Sequence, residues 1–111
     1  MSILKFNESN PEIVRQGLER RIISTSNLMT VIVDFTDGPW AEAEPFHSHP
    51  HEQTSYVAEG EIIFYCDGEP EQHLKAGDLF SAVSNQRHTI RLLSPCARLI
   101  DNFTPIRLEF I

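Results

Sequence analysis

Short runs of β-branched and aromatic residues, each closed by a turn signal, set the main constraint on how this chain can fold. Residues 21–24, 28–36, 54–58, 61–66, 78–82, 88–93 and 97–103 read as strands. Between them lie Asp37-Gly38, Glu59-Gly60, Asp67-Gly68 and Ala76-Gly77-Asp78, which supply residues that tolerate positive φ at hairpin spacings. Only the segment from Pro11 to Leu18 keeps a helical spacing, with Ile13, Val14 and Leu18 lining a turn or two after an Asn10 cap. Many short strands at even spacing predict an all-β sandwich or barrel.

One domain is all that 111 residues, 41% hydrophobic and 23% charged, can build, and they suffice for a single core without disulfides. A net charge of −7 with no Lys/Arg cluster removes the electrostatic footprint of a nucleic-acid or anionic-membrane binder, so neither partner is expected. Residues 1–8 have no basic segment followed by an apolar run, and no apolar stretch reaches the ~18–20 residues of a membrane span. A soluble, cytoplasmic protein is therefore expected. Cys66 and Cys96 sit in apolar segments outside any metal or redox spacing and read as buried free thiols. Residues 29–33 and 62–66 are apolar on both alternate faces. In so short a chain the second layer is most cheaply another subunit, which predicts a homodimer whose interface covers one sheet.

The densest group of ligand-type side chains is His47-Ser48-His49-Pro50-His51-Glu52-Gln53. On an extended strand His47 and His49 project to one face, close enough to share a metal ion. Gln53, past the bend at Pro50, can bring an amide oxygen to the same ion, and a tight fold can place His88 opposite. Spacing alone leaves a second reading open, in which the histidines are solvated edge-strand residues that bind nothing. His51 can point inward as a further ligand, but the bend at Pro50 favours an outer partner or a surface residue. Glu52 can orient a histidine, with solvent exposure the simpler reading, and His73 reads as a surface residue. Trp40 and Phe46 read as core anchors of the preceding loop.

Gly38, His47, His49, Gln53 and Gly60 resemble the first motif of the cupins, and Gly77-Asp78 with His88 resembles the second. The resemblance spans residues 20–105 and implies an all-β, RmlC-like double-stranded β-helix, a jelly-roll barrel, over residues 20–111. Residues 1–19 would then be an extension at the barrel edge or in the dimer. It also implies one divalent transition metal on His47, His49, Gln53 and His88, with Zn, Ni, Mn, Fe or Co all compatible with the donors. Two departures stand out. The spacing from Gly38 to His47 is longer than the family pattern, and Val83-Ser84-Asn85 replaces the Pro and Gly of the second motif's turn, where Asn85 can take the left-handed conformation.

The ending Asp101-Asn102-Phe103-Thr104-Pro105-Ile106-Arg107 is similar to that of the KdgF-type pectin-degradation cupins, which also carry the His-Ser-His-Pro-His-Glu-Gln run. That resemblance implies catalytic roles for Asp101, Phe103 and Arg107 and a small carboxylated sugar as substrate. The implied reaction converts 4,5-unsaturated uronate monomers to linear 4-deoxy-5-keto-uronates. Read from the residues, Asp101, Phe103, Pro105 and Arg107 share a face if the segment stays extended, and an edge strand with an exposed ion pair is the other reading. A different metal-dependent cupin enzyme, such as an oxygenase, and a non-catalytic sugar-binding cupin are the competing functions.

Overall fold

Strands account for nearly all the regular structure of the computed structural model, which describes residues 1–111. They are β1 Glu12–Arg15, β2 Leu18–Ser24, β3 Met29–Phe35, β4 Glu52–Glu59, β5 Glu61–Cys66, β6 Gln72–Lys75, β7 Leu79–Ala82, β8 His88–Leu92 and β9 Ala97–Thr104. Single 3-10 turns lie at Phe6–Glu8 and Leu108–Phe110. A six-stranded sheet runs β1-β2-β3-β9-β4-β7 and a three-stranded sheet runs β6-β5-β8. All their pairings are antiparallel. No helix is long and apolar enough to cross a membrane.

Alternation along the strands decides what faces inward. On β4 the buried positions are Gln53, Ser55 and Val57, and on β5 they are Ile62, Phe64 and Cys66. Phe35, Val57, Ala97 and Leu99 from the larger sheet pack against Ile62 and Leu92 from the smaller one. The two sheets therefore close face to face as a jelly roll. A second cluster, Met29, Val31 and Phe103, lies further along the larger sheet. The polar side chains His49, Gln53, Ser55, His88 and Thr89 are also buried, so the barrel is apolar at one end and ligand-bearing at the other.

Two glycines make the close approaches this closure needs. A Cβ on Gly60, at φ +85°, would stand 2.4 Å from the Cys96 carbonyl oxygen. One on Gly38 would stand 2.0 Å from the Ser94 carbonyl oxygen. Gly38 itself does not take positive φ, contrary to the turn reading of Asp37-Gly38; its need is for space.

The chain departs from other expectations in places. Pro11 to Leu18 is no helix: β1 and β2 form a hairpin through Gly17, at φ 86°, because an edge strand this short shows no period of its own. β2 crosses the expected boundary after residue 19, and β1 is the outer strand of the larger sheet. Both cysteines are free, but Cys96 is exposed, since it follows Pro95 at the turn into β9. Phe46 is 41% exposed, with the Arg87 guanidinium 5.2 Å from its ring centroid, whereas Trp40 packs edge-on against Phe35 in the core.

Candidate metal centre

His47 and His88 come together through the backbone. They form an isolated antiparallel bridge, with His47 N–H to His88 O at 3.0 Å and the return bond at 2.9 Å. His49 follows on the same approach, and after the bend at Pro50 the chain enters β4, whose second residue is Gln53. Ring centroids lie 4.3 Å apart for His47–His88, 5.1 Å for His49–His88 and 5.9 Å for His47–His49. One nitrogen from each ring lies within 4.8 Å of the others. His49 and His88 are buried and His47 is exposed.

Hydrogen bonds decide which nitrogen each buried ring turns inward. His49 Nδ1 lies 2.9 Å from the His51 carbonyl and His88 Nδ1 lies 2.8 Å from the Gln86 carbonyl. An Nδ1–H donated to a carbonyl leaves Nε2 with its lone pair, the usual support of a ligating imidazole. His88 Nε2 is then buried with no partner. His49 Nε2 faces Gln53 Oε1 at 3.1 Å, which brings two lone pairs together. Orphaned and converging acceptors fit a cation, and imidazole with an amide oxygen suits a transition metal.

The protonation states agree with this. Although His47 is exposed as a residue, its ring faces its neighbours and is partly desolvated. That, then the repulsion that protonating it beside His88 and His49 would meet, and the Arg107 charge, push it down to about 4. His49 and His88 are also lowered, chiefly by burial, with the Arg107 charge adding to it. Neutral imidazoles are the form that binds metal.

Beside the histidines lies a directed polar chain. Gln53 Nε2 donates to Ser55 Oγ at 2.9 Å, and Ser55 Oγ donates to Asp101 Oδ1 at 2.6 Å. Burial raises the Asp101 carboxyl to about 6, against the pull of the Ser55 hydrogen bond and of Arg107. Phe103 stands edge-on to His49, with centroids 5.6 Å apart. The Arg107 guanidinium lies 5.1 Å from the Phe103 ring centroid and 4.1 Å from that of Phe110, and Nε donates to Glu109 at 2.9 Å. Asp101, Phe103, Arg107 and Phe110 line a cavity of about 240 Å³ with His47, Gln53 and His88.

A family model for the cupin domain matches residues 33–99. The chain belongs to the cupin family, among those of the KdgF type. The pectin degradation protein KdgF of Dickeya dadantii (strain 3937) is 37% identical over 106 residues, 95% of this chain and 94% of that protein. The structure of KdgF from Halomonas sp. superposes with a TM-score of 0.88 at 31% identity, over 100% of this chain and 99% of the other. An RmlC-like cupin from Shewanella frigidimarina superposes with a TM-score of 0.86 at 33% identity, over 100% and 96%.

This cupin brings the sequence-derived residues together with two adjustments. β9 is interior to the larger sheet, between β3 and β4, so the edge-strand reading of the Asp101 segment is excluded. The expected extended run to Arg107 ends at Thr104, because Pro105 has no N–H for the ladder; the chain turns, and Arg107 reaches the cavity just before the last 3-10 turn. His51 contributes its carbonyl to His49, while Glu52 is exposed and His73 pairs with Glu61 on the surface at 2.9 Å. Sequence reasoning missed Ser55 and Phe110. Ser55 carried a signal, since it lies two residues from Gln53 on the same strand face.

Proposed function

We propose that this cupin opens the ring of 4,5-unsaturated uronate monomers, giving linear 4-deoxy-5-keto-uronates in the catabolism of pectin or alginate. The observation that carries the reading is the convergence of a half-buried carboxylate, a braced guanidinium and two imidazoles of the three-histidine cluster on one cavity. Its volume of about 240 Å³ falls below the roughly 300–1,000 Å³ of drug-sized sites, which favours a single sugar ring over an oligomer. The name of the Dickeya relative, a pectin degradation protein, supports the same substrate class.

The reaction moves one proton and gains or loses no atoms. The C1 hydroxyl loses its proton, the C1–ring oxygen bond breaks as the C1 carbonyl forms, and C4 gains a proton as the C5 enol becomes a ketone. Asp101, raised to about 6, is poised to take and return that proton near neutrality. Arg107, held against two aromatic rings, presents a planar fork to the substrate carboxylate. Phe103 packs on the sugar and excludes water. His47, His49, His88 and Gln53 would hold a divalent ion, which would supply Lewis-acid polarisation of a substrate oxygen.

The test follows the enol-ether absorbance of an unsaturated uronate monomer with metal-loaded protein, His88→Ala and buffer. Decay above the blank that His88→Ala abolishes is expected. Wild-type decay at the rate of the blank overturns the reading, and monomer bound without being consumed makes the chain a sugar-binding cupin instead.

A second copy, we further propose, covers the outer face of the larger sheet. There Ile32, Ile100, Tyr56 and Leu79 lie in register across four strands, with Tyr56 39% and Leu79 69% exposed. Sedimentation as a monomer at micromolar concentration overturns this.

A further inference from the structure

Ser55 is 1% exposed at the centre of β4, directly opposite Asp101 on β9. Its hydroxyl has a single proton. Asp101 Oδ1, at 2.6 Å, takes that proton, since an ionised carboxylate can accept but not donate. The lone pairs left on Ser55 Oγ can only receive, so the group that Gln53 turns toward them at 2.9 Å must be its NH2. An amide with its nitrogen on Ser55 has its oxygen on the opposite side, and there Oε1 faces His49 Nε2. A flipped amide would point N–H groups into the histidine cluster and offer a cation no lone pair.

We infer that Ser55 is a positioning residue that sets the orientation of the Gln53 amide, committing its oxygen to the three-histidine cluster through a one-way chain from Gln53 to Ser55 to Asp101. The inference rests on the reading of Gln53 as a metal ligand. It also gives a reason for an amide at position 53. A glutamate there would bring a second carboxylate to a hydroxyl whose only proton is already given to Asp101, leaving facing lone pairs in a buried site.

A double-mutant cycle on the full-length protein tests this, with Co²⁺ affinity as the readout for wild type, Ser55→Ala, Gln53→Ala and the double variant. A residue acting through Gln53 is expected to weaken Co²⁺ binding about 10–100-fold in the wild-type background, the usual effect of losing an outer partner. In the Gln53→Ala background the same change is expected to stay within about twofold, because there is no amide left to orient. No loss in the wild-type background, or an equal loss in both, overturns the inference.

Nuclear Overhauser contacts in the metal-free wild type give a second reading that needs no variant to fold. The Gln53 amide protons are expected to contact the Ser55 β-protons, and contact with the His49 ring instead overturns the orientation. If wild type binds no Co²⁺, the metal reading falls while these contacts still decide the placement by Ser55.

Discussion

His47 and His88 exchange both of their backbone hydrogen bonds, at 3.0 and 2.9 Å, and so lie directly opposite each other as a hydrogen-bonded antiparallel pair. Their rings project to the same side with centroids 4.3 Å apart. Two ligand-type side chains far apart in sequence are thus fixed by the same backbone contacts that anchor the preceding loop to β8. His88 Nδ1 is further held by the Gln86 carbonyl at 2.8 Å. The geometry of the pair belongs to the fold, and ordering it asks little of a ligand.

Replacing His88 by alanine removes the unpartnered Nε2 from the cluster and leaves the Gln86 carbonyl without its donor. Affinity for a divalent ion, measured by competition with a coloured chelator, is expected to fall by more than the roughly 10–100-fold typical of losing an outer partner. The metal-free protein is expected to lose only about 1–3 kcal/mol, the cost of one unsatisfied buried group, in urea denaturation.

Asp101→Asn tests the proton-transfer role without removing the Ser55 contact, since the asparagine carbonyl can still accept from Ser55 Oγ. Turnover is expected to fall by about 10²–10⁴-fold without loss of thermal stability at neutral pH, where burial disfavours the ionised carboxylate that the change removes. In wild type the rate is expected to drop below a pH near 6, where the carboxylate that takes the hydroxyl proton becomes protonated. That limb should vanish from the residual rate of Asp101→Asn; a wild-type profile flat through this range defeats the assignment.

Much of this arrangement is legible in the sequence where period and register coincide. The strands announce themselves as β-branched runs between turns, and the His47-x-His49 spacing marks a common face. Asn85 at φ 65° supplies the left-handed residue expected of the second motif's turn. What is hidden depends on partners distant in the chain. Nothing within the 53–57 run says that Ser55 will face Asp101, because that needs the β4–β9 register. The period of β9 carries Arg107 to the correct neighbourhood for an incomplete reason, since the ladder stops at Thr104 and a turn delivers the side chain. Ile13 and Val14, 62% and 45% exposed on an outer strand, lack the buried face that would have separated strand from helix.

Arg107→Ala is expected to separate substrate binding from metal binding. Losing charge-assisted hydrogen bonds worth about 1.5–3 kcal/mol should raise the uronate KM about 10–100-fold. Metal affinity should hold or rise, because the Arg107 charge adds to the repulsion that keeps His47, His49 and His88 from bearing positive charge. Parallel losses of metal and substrate would mean that Arg107 supports the cluster structurally.

The stability of the metal-free protein should fall on acidification from neutrality. Each cluster histidine has a lower pKa folded than unfolded, His47 reaching about 4 from 6.5, so the unfolded chain binds more protons as pH falls through that window. The stability present above about 6.5 is lost progressively toward 4. Asp101 has the opposite sign. Its folded pKa of about 6 lies above the ordinary 3.8, so its contribution is complete below 3.8 and lost as pH rises through 6. Three histidines outweigh one carboxyl, and the urea midpoint is expected to be lower at pH 5 than at pH 7. Saturating metal should raise the midpoint more at pH 7, where the ligands are neutral in both states and none has to shed a proton.

The turn after β7 joins backbone strain to the histidine cluster. Asn85, at φ 65°, donates its N–H to the His49 carbonyl at 2.8 Å, and Ser84 Oγ donates to the Pro50 carbonyl at 2.7 Å. The turn therefore clamps the backbone on either side of the His49–Pro50 step. Asn85→Gly keeps both the left-handed conformation and the N–H, and thermal unfolding should move little. Asn85→Ala keeps the N–H but puts an ordinary side chain in the left-handed region, at a cost of about 1–2 kcal/mol. If the turn relaxes to escape that cost, the His49 carbonyl loses its donor and the ring shifts, so metal affinity should weaken in Asn85→Ala and not in Asn85→Gly. Equal affinities for the two variants would show that Pro50 and the His51 carbonyl hold His49 without help from this turn.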